Sequence, residues 1–277
     1  MGVTPALYTQ VDLLQPVEMA FLRGSAVLYT HRAPGKLSVN EDSAAAIALA
    51  EDSGVLMVAD GLGGPPSGEQ ASRLAVEIIT RSVLDASPEQ VTIREAILAG
   101  IESANQAICS LGSGAATTLA LIEFQGNSIR SYHVGDSMIL VTGQRGRIKF
   151  QSIPHSPVGY AVEAGLLDED EAVHHEDRNL VSNVLGSTEM RIDMGPMLEL
   201  APRDTVVIAS DGLNDNMYAE EIVDSVRAGT LLHAVTELAS RCTRRMEALV
   251  EGQPSHPDDL SIIAYRTSPK RSRSQVG

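Results

Sequence analysis

The sequence has no tryptophan, and its 277 residues include three phenylalanines and six tyrosines. So small an aromatic complement argues against the stacking platforms that bind single-stranded nucleic acid. Two cysteines, Cys109 and Cys242, stand far apart with no paired spacing. That argues against a disulfide framework or a thiolate zinc site, and both read as small packed residues. No apolar run approaches the ~20 residues that span a bilayer. Acids at Asp12 and Glu18, with no basic region beside them, make the N-terminus a poor signal peptide. A cytoplasmic protein is therefore expected. Basic residues are scarce too: 21 Lys and Arg stand against 36 Asp and Glu, a formal net charge of −15. A surplus of that size disfavours nucleic acid and anionic membranes as partners.

What is present is an ordinary globular composition, 43% hydrophobic and 21% charged. No internal repeat or Pro/Gly-rich linker divides the chain. The expectation is one domain over residues 1–266 and a basic, Ser-rich disordered tail over 267–277, nothing demanding more than a monomer. Strand-like runs at Gly24–Thr30, Ala44–Ala50 and Gly54–Ala59 come first, the last two joined by a turn cluster. Apolar residues at helical spacing follow over Gly68–Ala86 and again from Ile93 to Ile108. Ser87, Pro88 and Gln90 predict the cap of that second helix. A second strand block covers Thr117–Phe124, Ser128–Val134, Met138–Thr142 and Arg147–Phe150. An acidic stretch from Pro154 to Asn183 reads as short surface helices. Thr205–Ala209 is a strand, Ala219–Arg227 and Leu231–Val250 are helical, and Leu260–Arg266 is the last strand. Strand blocks alternating with helix pairs predict an α+β class with antiparallel sheets.

The acids fall at strand ends. Val55–Ala59 stops at Asp60-Gly61, Thr205–Ala209 at Ser210-Asp211-Gly212, and Ser131–Val134 at Gly135-Asp136. Asp258-Asp259 opens the last strand, and Asn40-Glu41-Asp42 opens Ala44–Ala50. Asp-Gly after a strand is a turn signal by itself. Several acidic strand ends on one sheet edge mean more, because converging carboxylates repel in a low-dielectric cleft. A hard divalent cation offsets that, and Mg²⁺ or Mn²⁺ takes oxygen ligands of this kind. Gly61 offers an open carbonyl, and Gly63 and Gly64 allow a sharp turn beside an ion.

At these residues the chain resembles the type 2C, metal-dependent serine/threonine protein phosphatase family, in its compact bacterial form. The motifs stand in the family's order: Asn40-Glu41-Asp42-Ser43, Ala59-Asp60-Gly61-Leu62-Gly63-Gly64, Thr117-Thr118-Leu119, Val134-Gly135-Asp136-Ser137, Ser210-Asp211-Gly212-Leu213-Asn214-Asp215 and Pro257-Asp258-Asp259-Leu260. The resemblance spans roughly Gly24 to Arg266. It implies a central β-sandwich of two antiparallel sheets flanked by helix pairs, in α-β-β-α layers, with a variable flap at about 151–186. It also implies a two-metal site for Mn or Mg. Asp60 would bridge the ions, Asp211 and Asp258 would hold the first, and Glu41 and the Gly61 carbonyl the second. Asp136 and Asp215 would hold a possible third ion. Asp42 would orient the water, and Asp42 and Asp60 are the catalytic candidates. Where the family places a phosphate-binding arginine this chain has Leu37, so Lys36 and Arg32 become the candidate substrate-binding charges. His155 reads as a surface histidine of the flap, His133 as structural, and Met190, Met194 and Met197 as gap fillers.

The expected activity is hydrolysis of phosphoserine or phosphothreonine in proteins by a metal-bridged hydroxide. The partners would be phosphoproteins made by a serine/threonine kinase. Two other readings share the fold: a non-catalytic phosphoprotein-binding module and a phosphatase of small metabolites.

Overall fold

The structure is a computed structural model that describes residues 4–63, 67–87, 90–112, 114–172, 175–178 and 180–267, with Glu169 and Asp170 by backbone alone. Gly64, Pro88, His174, Asn179 and the tail expected to be disordered lie outside the described residues. In chain order the elements are strands β1 (Ala6–Thr9), β2 (Val17–Phe21), β3 (Gly24–His31), β4 (Ser43–Ala48), β5 (Ser53–Ala59) and β6 (Gly61–Leu62), then helices α1 (Ser67–Asp85) and α2 (Ile93–Cys109). Next come β7 (Ala116–Thr117), β8 (Leu119–Gln125), β9 (Ser128–Val134), β10 (Met138–Thr142) and β11 (Ile148–Gln151), then α3 (Pro157–Glu163) and α4 (Glu169–Ala172). The last part holds β12 (Asp193–Met194), β13 (Leu198–Glu199), β14 (Thr205–Ala209), α5 (Asp211–Asn214), α6 (Ala219–Val226), α7 (Leu231–Glu247) and β15 (Leu260–Thr267).

Two antiparallel sheets form the centre. One runs β1-β4-β5-β8-β9-β12 with β13 also on β9, and the other runs β11-β10-β14-β15-β3-β2. Their central strands are apolar at successive positions because both faces are covered. In β5, Leu56 and Val58 face the other sheet, while Val55, Met57 and Ala59 pack under α1 and α2. In β15, Ile263 and Tyr265 face inward, while Ile262 and Ala264 meet α7 with Val235, Leu238 and Cys242. Helices on one sheet, sheet on sheet, and helices on the second make the expected α-β-β-α layers. Three of the scarce aromatics close the inter-sheet core edge to face, with Phe124 and Tyr265 centroids 4.8 Å apart and Phe21 at 5.5 and 5.7 Å from them.

Several details differ from the sequence reading. The capping box of α2 is at Thr92, not Ser87: Thr92 Oγ1 accepts from the Glu95 N–H, and Glu95 returns to the Thr92 N–H. Two Ser/Thr-x-x-Glu/Gln patterns compete there, and the one adjoining the Ile93 stripe prevails. Strands β1 and β2 add an edge to each sheet that the sequence reading did not foresee. Cys242 is buried as expected, but Cys109 is half-buried. Met194 and Met197 are exposed rather than gap-filling, and Met190 alone of that group packs on the core.

Candidate metal centre

Register brings the acidic strand ends together. Ser43 pairs with Ala59, which sets Asp42 and Glu41 beside Asp60. Ala209 pairs with Ile262 in one direction and Met138 in the other, which sets Asp211 between Asp258 and Asp136. Buried hydroxyls and amides then fix the backbone. Thr118 N–H and the Thr117 hydroxyl both donate to the Asp60 carbonyl, at 2.9 and 2.7 Å. Thr118 Oγ1 shares a 2.6 Å bond with Ser137, next to Asp136. Asn40 accepts from the Asp42 N–H and donates to the Val11 carbonyl and to Thr30 Oγ1. The Ser210 hydroxyl donates to Asp42 Oδ2 at 2.7 Å.

Glu41, Asp42, Asp60 and Asp136 are buried, and Asp211, Asp215 and Asp258 are half-buried around the same cleft. Glu41 Oε1, Asp42 Oδ1, Asp136 Oδ1, Asp211 Oδ1 and Asp215 Oδ2 have no hydrogen-bond partner among the described residues. Burial raises the pKa values of the clustered aspartates, and neighbouring acids add to it at Asp60 and Asp211. Asp60 and Asp211 are held well above the usual carboxylate range. Burial, with the Asp259 charge, pushes Asp42 up to about 8. Burial likewise pushes Asp215 up to about 7, against the opposing Arg178 charge. Asp136 rises to about 6, and Asp258 rises as well.

A second observation concerns Gly68, in the first turn of α1. A Cβ there would collide with Glu41 Oε1 and sit 2.8 Å from the Gly61 carbonyl oxygen. The glycine therefore opens a cradle in which that carboxylate and that carbonyl meet. Gly63, at φ 107°, turns the chain away from it. Orphaned acid oxygens and an open carbonyl are the donor set of a hard divalent ion, so the residues fit the metal expected from the sequence.

Asp259 contributes from behind the acids, a role the sequence reading did not assign. It is 2% exposed; its Oδ1 accepts from Ala33 N–H and its Oδ2 from Glu41 N–H and Lys36 Nζ. Asn216, also missed, ties the Asp211 turn to the Asp258 loop. Its side chain donates to the Gly212 and His256 carbonyls and accepts from the His256 N–H. A lone asparagine carries no signal of such a role in sequence.

The two candidate substrate-binding cations are otherwise engaged. Arg32 gives its guanidinium to Asp12 and to the Ser38 carbonyl. Lys36 lies 2.6 Å from both Glu41 Oε2 and Asp259 Oδ2. Arg178 approaches instead, with Nε 3.7 Å from Asp215 Oδ2. A cavity of about 510 Å³ opens there between α3 and α6, lined by Asp136, Asp215, Arg178 and Met217 among others.

His155 is 6% exposed, which corrects the surface assignment. It ties the chain at residues 155 and 182 to the Asp136 turn. Its N–H donates to the Gly135 carbonyl, its Nδ1 accepts from the Gly135 N–H, and its carbonyl accepts from Ser182. His133, buried as expected, donates Nε2–H to the Ser137 carbonyl. These two rings and Asp193 have nitrogens and an oxygen within 4.8 Å of one another. The Gly135 N–H fixes the proton of neutral His155 on Nε2, the atom that would have to ligate. The group is therefore a hydrogen-bonded hinge rather than a metal site.

An oxygen-lined anionic cleft at the edge of a four-layer sandwich defines a class: hydrolases that act on phosphate through hard divalent ions. A sequence model described as protein phosphatase 2C matches residues 30–251. The protein phosphatase PhpP of Streptococcus pneumoniae is 31% identical over 195 residues, 68% of this chain and 78% of that protein. The solved serine/threonine phosphatase of S. agalactiae superposes with a TM-score of 0.75 at 26% identity, over 88% of this chain and 99% of that one. The catalytic domain of PstP, solved with two manganese ions, superposes at 0.68 and 24% identity, over 87% of this chain and 96% of that one. The chain belongs to the protein phosphatase 2C family, and it is a metal-dependent serine/threonine protein phosphatase. Among the described residues no helix is long and apolar enough to cross a membrane.

Proposed function

We propose that two divalent ions, Mn²⁺ or Mg²⁺, would be held by Asp211 and Asp258 at the first position and by Glu41 and the Gly61 carbonyl at the second, with Asp60 serving both. Asp136 and Asp215 are assigned to a third, weaker ion. The observation that carries the reading is the set of buried acid oxygens without hydrogen-bond partners. Bound ions supply an acidified water and neutralise charge on the phosphoryl group. The chain's own part is placement. Ser210 fixes one oxygen of Asp42 and leaves Oδ1 to orient the attacking water. The Thr117 and Thr118 bonds hold Asp60 still while charge shifts around it. Arg32 and Lys36 are engaged by carboxylates, so phosphate affinity would come mostly from the bound ions.

The substrates are phosphoserine and phosphothreonine in proteins phosphorylated by a serine/threonine kinase. Residues 1–266 act as one catalytic unit and as a monomer, with the flap at about 151–186. Two free cysteines suit a reducing cytoplasm. The test is hydrolysis of p-nitrophenyl phosphate and of a phosphothreonine peptide with Mn²⁺. Activity should vanish with chelator and fall at least ~10³-fold in Asp211→Ala. No hydrolysis at any metal concentration would overturn the proposal.

A further inference from the structure

The turn between β3 and β4 carries a cation into the carboxylate cluster. Lys36 is followed by Leu37, which is 98% exposed, yet the Lys36 side chain folds back and is 20% exposed. Its Nζ sits 2.6 Å from Glu41 Oε2 and 2.6 Å from Asp259 Oδ2. Glu41 thus has two distinct oxygens. Oε2 is on the ammonium, while Oε1 is buried without a hydrogen-bond partner and borders the Gly68 cradle with the Gly61 carbonyl. Asp259, also bonded to the Ala33 and Glu41 N–H groups, keeps Lys36 in this corner.

We propose that Lys36 is a built-in counter-cation that competes with the divalent ion at the Glu41–Gly61 position, and that Asp259 moderates this competition by taking part of its charge. The inference rests on the metal reading above. A carboxylate shared by an ammonium and a divalent ion gives each less than it would give alone, and the two cations repel across it. A unit charge a few ångströms from a divalent ion changes that ion's affinity by roughly tenfold even under the screening of bulk water. Lys36 hydrogen-bonds Glu41 and Asp259 and reaches Asp258 only as a through-space charge, so the Asp211–Asp258 position feels it less and the two ions enter with unequal affinity. A mere strut between the turn and the sheet predicts a different pattern. Removing either end of a strut loosens Glu41 and weakens the ion in the same direction. Competition gives opposite signs.

The experiment is Mn²⁺ titration of the metal-free full chain by calorimetry, with free Mn²⁺ followed by electron paramagnetic resonance. Wild type is compared with Lys36→Met, Asp259→Asn and the double variant. In Lys36→Met the weaker binding step should tighten about tenfold, while the tighter step moves less than about threefold. In Asp259→Asn the weaker step should loosen, because Glu41 then holds Lys36 alone. The double variant removes one cation and one anion and keeps the net charge of this corner, so it stays informative if Lys36→Met folds poorly, and its weaker step should also be tighter than wild type. Unchanged or weaker binding in the variants lacking Lys36 would overturn the inference while leaving the metal site standing. Wild type that binds no Mn²⁺ would overturn the site and the inference together.

Discussion

Asn216 shows how one side chain can hold a site it does not enter. It is fully buried and pairs with the His256 main chain as a strand would, through one accepted and one donated hydrogen bond, while its second amide hydrogen reaches the Gly212 carbonyl. Its own carbonyl accepts from Arg245, which is clamped by Glu221. The segments bearing Asp211 and Asp258 are thereby fixed to each other. Asn216→Ala would remove three hydrogen bonds, to the His256 N–H and to the Gly212 and His256 carbonyls, at a cost of about 2–4 kcal/mol. Chemical denaturation of the chelated protein should show that loss, and Mn²⁺ should restore less of it than in wild type. Unchanged stability would refute the role. The clustered acids other than Asp215 were legible in the sequence because each follows or opens an apolar strand, whereas Asp215, at the end of α5, was named only from the resemblance. Asn216 was not legible, since its partner is 40 positions away and an isolated asparagine in a loop has many local uses.

At the scale of the element, the first turn of α1 is where helix preference and site geometry conflict. Alanine is favoured over glycine inside a helix by about 1 kcal/mol. At position 68 that gain meets the Glu41 carboxylate and the Gly61 backbone. Gly68→Ala should therefore lose that gain to the collision with the Gly61 backbone and lower thermal stability in chelator, and it should lower kcat/KM with Mn²⁺ by roughly 10²-fold, the usual cost of ångström-scale misplacement. Steady-state kinetics beside a thermal melt check both halves, and a variant of normal activity would remove Gly68 from the cradle. Elements with strong periodicity were legible: α1, β5, β14 and β15 stand close to their expected bounds, while α2 carries the expected stripe but starts later. The cap of α2 was misjudged because Ser87 and Thr92 carry equivalent motifs and only packing of the Ile93 stripe separates them. The edge strands β1 and β2 are short and half-exposed, so their alternation is weak in sequence, and their place is set by partners β4 and β3. Burial of His155 was equally invisible, for it depends on the flap folding back to Gly135.

For the whole molecule, the net charge of −15 is not spread evenly in its consequences. Surface acids are solvated and cost little, whereas those of the centre are buried against one another. Without metal the fold can keep them only by retaining protons. Asp42 at about 8, Asp215 at about 7 and Asp136 at about 6 all stand above the ordinary 3.8 of an unfolded aspartate. Between 3.8 and its raised value, each group binds a proton in the folded chain and not in the unfolded one. Stability must then fall as pH rises through that window. His133 works the other way, since burial lowers its pKa to about 3 from 6.5, but above pH 6.5 it is mostly neutral in both states and contributes little. From pH 6.5 to 8 the acids therefore dominate. In chelator the melting temperature should drop steadily across that interval. With saturating Mn²⁺ the drop should largely vanish, because the ion replaces the protons, and the stabilisation by metal should be larger at pH 8 than at pH 6.5. Scanning calorimetry at several pH values with and without Mn²⁺ reads both effects. A flat profile in chelator would mean the acids ionise together in the metal-free fold, and the clustering that defines this centre would then be looser than the geometry describes.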